Sequence, residues 1–220
     1  MKTGLTLEQL AAEITRQQSA KEDYVVNTGN LRLESYGPDL TLRVLDSDGA
    51  DRIEPLEIGD IAHRQIGTHL SIPAKYYERM RSEDPGLLAH NVNTWLERTP
   101  AQRMIRVLDG KARAYLSNRY LRMDNYSIAS AVLPILAEIP DVRIESCQIT
   151  DSRMYIKAVN PRLQEDVTPG DTVQAGVVIS NSEVGLGSVN IQPLIYRLVC
   201  SNGMVVNDAA TKRNHIGRAT

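Results

Sequence analysis

Phenylalanine is absent from the 220 residues, and only two cysteines and one tryptophan occur. Aromatic contacts therefore fall to nine tyrosines and to Trp95. Cys147 and Cys200 stand far apart, with no second pair near either. That spacing matches neither a zinc pattern nor a disulfide framework, so two buried thiols in a reducing cytoplasm are expected. Long apolar runs are missing too: nothing approaches the roughly 20 residues that a bilayer-spanning helix needs. The opening MKTGLTLEQLAAEITRQQ is a polar amphipathic helix, not a secretory leader. A soluble, cytoplasmic protein is expected.

Several motifs of chemistry are also lacking. There is no GxxxxGK[ST], which removes the support for Walker-type nucleotide hydrolysis. GLGS at 185–188 falls between two expected strands and reads as a hairpin loop, not a phosphate cradle. His63 and His69 lie six apart, on different faces of one helix, and His90 stands alone, so no metal spacing is present. Ser117, Ser127 and Ser180 lack a nucleophile-elbow context, and Glu145, Asp151 and Glu183 show no legible pairing. No catalytic residue, cofactor or metal is assigned, and a binding protein is favoured over an enzyme.

What is present is a hydrophobic fraction of 42%, enough for a packed core. A net charge of −2 hides an uneven distribution. Residues 98–122 carry seven cations against Asp109, and residues 191–220 carry four against Asp208, so the remainder is strongly acidic. Such asymmetry focuses field on one face and attracts polyanions.

Local signals outline the elements. Leu5 to about Gln18 predicts a helix, with Thr6 and Gln9 at capping-box spacing. LRLESY and LTLRVLD predict two strands around Gly37-Pro38. IGDIAHRQIGTHL and PAKYYERM predict helices split by SIP, and PGLLAHNVNTWLER a third with Pro85 in its first turn. Residues 61–80 have a helix-turn-helix outline but lack its turn glycine, and a structural helical hairpin is the better reading. Thr99-Pro100 marks a boundary between a helix-rich region with a small strand pair (1–99) and a core of hairpin, helix and antiparallel sheet (100–220), together one compact unit. Asp109-Gly110 signals a tight hairpin. A helix over about 125–138 follows, bounded by Asp124 and Pro140, kinked at Pro134, with Ile128, Val132, Ile135 and Ile139 on its apolar side. Then come a hairpin over 142–159 and strands over 172–180 and 188–200. The class is α+β, an antiparallel sheet of hairpins with a packed helix.

Fixing the hairpin turn fixes a register in which Arg106 faces Arg113 and Met104 faces Tyr115. Like charges directly opposite destabilise a strand pair unless an anion relieves them. A phosphate backbone would do so, and Tyr115, Tyr120 and Tyr126 offer faces for unstacked bases. The competing reading is a hydrated outer face with arginine stems on tyrosine rings.

RAYLSNRYLRMDN, GDTVQAGVVISNSEVGLGSVNIQPLIYRLVCSNGMVV and KRNHIGR, together with LSIPAKYYERM and LLAHNVNTWL, resemble the phage/plasmid-like family of unknown function found on mobile elements. The resemblance spans about residue 55 to the end. Members continue past HIGR, so it implies a short relative or a trimmed chain. The order of hairpin, helix and three- to four-stranded sheet is also similar to ring-forming single-strand annealing proteins of the Erf, RecT and Red-beta kind. That likeness implies single-stranded DNA as partner, a homo-oligomer (ring or filament), and strand annealing or recombination without nucleotide hydrolysis. It places phosphate contacts at Arg103, Arg106, Lys111, Arg113, Arg119 and Arg122, stacking at Tyr115 and Tyr120, and a second basic wall at Arg197, Lys212, Arg213 and His215. The alternative is a mobile-element protein that binds or inhibits a host protein.

Overall fold

A computed structural model describes residues 4–198, 204–205 and 211–213. It is an α+β chain, as the patterning predicts. The elements begin with α1 (Leu7–Ala20), β1 (Lys21–Asn27), β2 (Leu31–Tyr36), β3 (Asp39–Val44) and β4 (Leu56–Ile58). Three helices follow, α2 (Asp60–His69), α3 (Ala74–Glu83) and α4 (Pro85–Arg98), then the hairpin β5 (Gln102–Leu108) and β6 (Lys111–Ser117). After α5 (Asn125–Glu138) come β7 (Arg143–Ile149), β8 (Met154–Thr168), β9 (Asp171–Asn181), β10 (Val189–Arg197), β11 (Met204–Val205) and β12 (Thr211–Arg213).

Two compact units result: Ala20–Tyr120, and the described residues up to Ser19 together with those from Leu121 on. The division does not run at Thr99-Pro100. Strand β5 pairs antiparallel with β1, and β6 pairs parallel with β4, so the hairpin is part of the sheet built by the preceding strands. The order in that sheet is β1-β5-β6-β4-β3-β2. Alternate residues Leu31, Leu33, Leu40, Leu42, Val44, Ile105 and Val107 point to one face. Three helices cover that face with Ala62 and Ile66 of α2, Tyr77 and Met80 of α3, and Leu88, Val92 and Leu96 of α4. Helix α4 starts on Pro85, and the Asp84 carboxylate accepts the Leu87 N–H at 2.9 Å. The Asn93 side chain accepts the Leu33 N–H at 2.8 Å and donates to the Leu33 carbonyl at 2.9 Å. One amide thus takes the place of a neighbouring strand along edge strand β2.

In the other unit the order is β11-β10-β9-β8-β7, with β12 also pairing β10. Helices α1 and α5 share a core with this sheet through Leu10, Ile14, Ala129, Leu136, Cys147, Ile156 and Ile179. Thr6 and Gln9 form the expected reciprocal capping box, at 3.0 and 3.2 Å. The buried side of α5 differs from expectation. Ala129 and Leu136 are buried, whereas Ile135 is 61% exposed and Ile139 also faces out. Ile128 and Val132 do pack against this core, so the expected row holds over its first half, and Ala129, Leu133 and Leu136 complete the packed side. Strand β8 also runs on to Thr168, where a loop was expected. Gly176 of β9 lies so close to β8 that a Cβ there would run into the Ala158 carbonyl oxygen.

Candidate functional site

The hairpin turn has positive φ at both Asp109 (51°) and Gly110 (74°), the geometry its dipeptide predicts. The expected register holds for Leu108↔Lys111 and Val107↔Ala112 and then breaks at a β-bulge. Arg113 is the extra residue, so Arg106 opposes Ala114, and Ile105 opposes Tyr115. The expected Arg106–Arg113 opposition is therefore corrected. The anion that relieves Arg106 is internal: it lies opposite Asp23 of β1 and grips that carboxylate with Nε at 2.9 Å and Nη2 at 3.1 Å. Arg106 is 0% exposed and is not a phosphate-contacting surface.

The bulge also turns Tyr115 into the core, beside Ile105, Val107 and Ala112. Its hydroxyl lies 2.8 Å from His69 Nδ1, and Arg103 sits over its ring at 5.5 Å. Tyr115 is thus not a stacking platform for bases. Burial raises its phenol above the ordinary value. Lys111 is ion-paired with Glu57, and Arg113 is half-buried. Arg119 is exposed and Tyr120 half-buried. Arg122 and Arg197 belong to the other unit; both are exposed, and Arg197 pairs with Asp171 at 2.8 Å. Lys212 and Arg213 oppose Asn190 and Val189 in the β10–β12 pair. His215 and Cys200 lie outside the described residues. Among the described residues no group of His, Cys, Asp and Glu could hold a metal ion, and no helix is long and apolar enough to cross a membrane.

A different feature is concave. An open groove of about 500 Å³ lies in the helical layer of Ala20–Tyr120. Each wall is an i, i+4 row: Tyr76 and Met80 on α3, and Asn91, Trp95 and Thr99 along α4 and its cap. The α2–α3 connection, His69 to Pro73, closes it. Trp95 is 43% exposed and Tyr76 47%. The walls are linked, since Asn91 Nδ2 reaches Met80 Sδ at 3.4 Å and also donates to the Leu87 carbonyl at 3.0 Å. The Arg98 guanidinium sits over the Trp95 ring at 5.5 Å. Burial and the Arg103 charge bring His69 down to about 4, so its ring is neutral at pH 7.

The α2–α3 turn explains how SIP breaks the helices without glycine. Ser71 holds φ +56°, its N–H donates to the Thr68 carbonyl at 3.2 Å, and the Ile72 N–H donates to the Gly67 carbonyl at 2.9 Å. This is a Schellman cap with serine at the position glycine favours. Ser71→Gly is expected to raise stability by up to about 1 kcal/mol, read as a higher urea midpoint.

The groove residues were missed because their side chains come from separate helices. A signal was present: Asn91, Trp95 and Thr99 form a row beside the buried Leu88, Val92 and Leu96 stripe, with an aromatic where a polar residue is usual.

In the other unit, the segment NSEVGLGS runs from the last residue of β9 through the loop that follows it. Asn181 Nδ2 donates to the Met123 carbonyl at 2.8 Å and to Asn125 Oδ1 at 2.9 Å, and Glu183 accepts the Asn125 N–H at 2.6 Å. Arg153 donates to the Leu186 carbonyl. This buried network joins MDN to NSE, two of the quoted motifs, and satisfies the start of α5. A domain of unknown function, DUF932, is found at residues 114–220. No curated protein and no solved structure matches the chain. The DUF932 match covers the Asn125–Asn181–Glu183 network, whereas the aromatic groove lies ahead of it in sequence.

Proposed function

We propose that the chain binds single-stranded DNA and acts in strand annealing or recombination, without nucleotide hydrolysis and as a homo-oligomer of phage or plasmid type. The observation that carries this reading is the pair of exposed rings, Tyr76 and Trp95, on the walls of one groove with Arg98 on the Trp95 ring. Aromatic faces beside cations are how single strands are held without sequence preference, at about 1–3 kcal/mol per stacked base. The basic character of 98–122 supports it through Arg98, Arg103 and Arg119, and no longer through Arg106 or Tyr115.

The test is titration of a labelled single-stranded oligonucleotide, with duplex as competitor, at several salt concentrations. Expected is micromolar or tighter binding that weakens steeply with salt and leaves duplex behind. Binding that is absent even at low salt overturns the reading.

A second reading, a protein-binding role, is favoured by exposed apolar residues on the DUF932 segment: Ile135 on α5, Ile139 just past its end, and Leu163 and Val167 on β8. It predicts a stable complex with a protein and no strand affinity.

A further inference from the structure

We propose that the groove is a nucleobase pocket, in which one unstacked base of the strand inserts against Trp95 and Tyr76 while the backbone stays outside. This rests on the single-strand reading and deepens it, by assigning the groove to the base and not to the phosphates.

The lining chemistry makes the distinction. Among the residues that line the groove there is no Asp, Glu, Lys or Arg, so none carries a fixed charge. A phosphate needs cations or a nest of N–H groups. A base needs flat apolar walls and a few oriented donors and acceptors for its edge. The volume, about 500 Å³, lies within the range of small-molecule sites, roughly 300–1,000 Å³.

The polar groups are also held in place. His69 is tied through Nδ1 to the Tyr115 hydroxyl, which leaves Nε2 as its other ring nitrogen for a ligand. Asn91 spends its Nδ2 on Leu87 and Met80, which leaves Oδ1 as an acceptor. The Thr99 hydroxyl donates to the Trp95 carbonyl at 2.7 Å, which ties down the end of α4. Rotamers locked by such outer contacts are what a preorganised site requires. Two cations that do not line the groove lie on adjoining rings: Arg98 on Trp95, and Arg103 on the Tyr115 that holds His69. A base inside and its flanking phosphates outside match that arrangement.

Trp95 is the single tryptophan, so its fluorescence reports the pocket directly. The probes are an oligothymidylate and a fully abasic strand of equal length and charge, with binding followed by anisotropy. Expected is quenching of Trp95 by the base-bearing strand and at least tenfold weaker binding, without quenching, by the abasic strand. Asn91→Leu, and separately Tyr76→Ala at its exposed position, should weaken binding of the base-bearing strand several-fold. Neither should change binding of the abasic strand, and melting temperature checks the fold of each variant. Ser71→Gly, although more stable, should bind no better than the parent. Equal affinity for the two strands, or tight binding without quenching, overturns the base pocket while the single-strand reading survives. Failure of both strands to bind at low salt overturns both.

Discussion

Replacing Arg106 by alanine is expected to cost about 3–5 kcal/mol, the usual penalty for removing one partner of a buried ion pair. The side chain is wholly buried, and its bidentate bonds join β5 to β1 across the sheet. Without it the Asp23 carboxylate, itself nearly buried, loses both of those bonds. Typical domains are stable by only about 5–15 kcal/mol, so a large part of the margin goes. The midpoint of thermal unfolding should fall by roughly 10 °C for a chain of this size. Arg106→Lys should be intermediate, because an ammonium cannot reproduce the planar fork. Asp23→Leu combined with Arg106→Met should recover most of the loss, since an apolar pair of similar volume avoids stranding a charge. An unchanged urea midpoint for Arg106→Ala would show that the arginine is a surface group after all. Reversing the charge at 106 sets a carboxylate against Asp23 and reports on folding, so the strand interface is better probed at Lys111 or Arg119.

Local chemistry was legible in the sequence. Thr6 and Gln9 cap α1 because their spacing suits two reciprocal bonds and nothing distant competes. Asp109-Gly110 makes its tight turn, and α2, α3, α4 and α5 lie where their punctuating residues put them. Elements whose identity depends on a partner were not legible. KEDYVVN opens with three charges and becomes β1 because Asp23 finds Arg106 on β5, 83 residues away. LEI is three residues long and becomes β4 through its pairing with β3 and β6. The bulge at Arg113 is the decisive case. One extra residue moved Tyr115 from the expected outer face into the core, and so out of the proposed stacking row. Period-2 reasoning transmits a single register error to every later side chain. The groove was illegible for a related reason: Tyr76 and Trp95 lie on different helices, and only their packing on one sheet brings them to one concavity.

Acid should weaken the helical layer of Ala20–Tyr120, and His63 carries most of the effect. The ring is buried, with Nδ1 2.9 Å from the Tyr77 hydroxyl, and burial holds it down at about 4. Arg81 and Lys111 push in the same direction, and Asp60 opposes them. The Tyr77 phenol is raised above its ordinary value by burial, so it keeps its proton and can donate to the neutral ring. In the unfolded chain the same imidazole titrates near 6.5. Between about 6.5 and about 4 the unfolded state therefore holds a proton that the folded state refuses. Stability is complete above the unfolded value and falls as pH drops through this window, by on the order of 3 kcal/mol for His63. His69 is lowered in the same direction and adds a smaller share, since it is only half-buried. Urea unfolding at pH 7.5, 6, 5 and 4.5 should trace the decline. Replacing the pair together, His63→Leu with Tyr77→Phe, removes the titrating ring and the hydroxyl that faces it, and should flatten the profile. Stability that is constant or rising toward pH 4.5 in the parent protein would contradict a buried neutral imidazole. The same window bears on the groove, because protonated His69 would place a cation where a neutral base is proposed to sit. Strand binding through the base should then weaken below pH 5, and the abasic strand should not show the same loss.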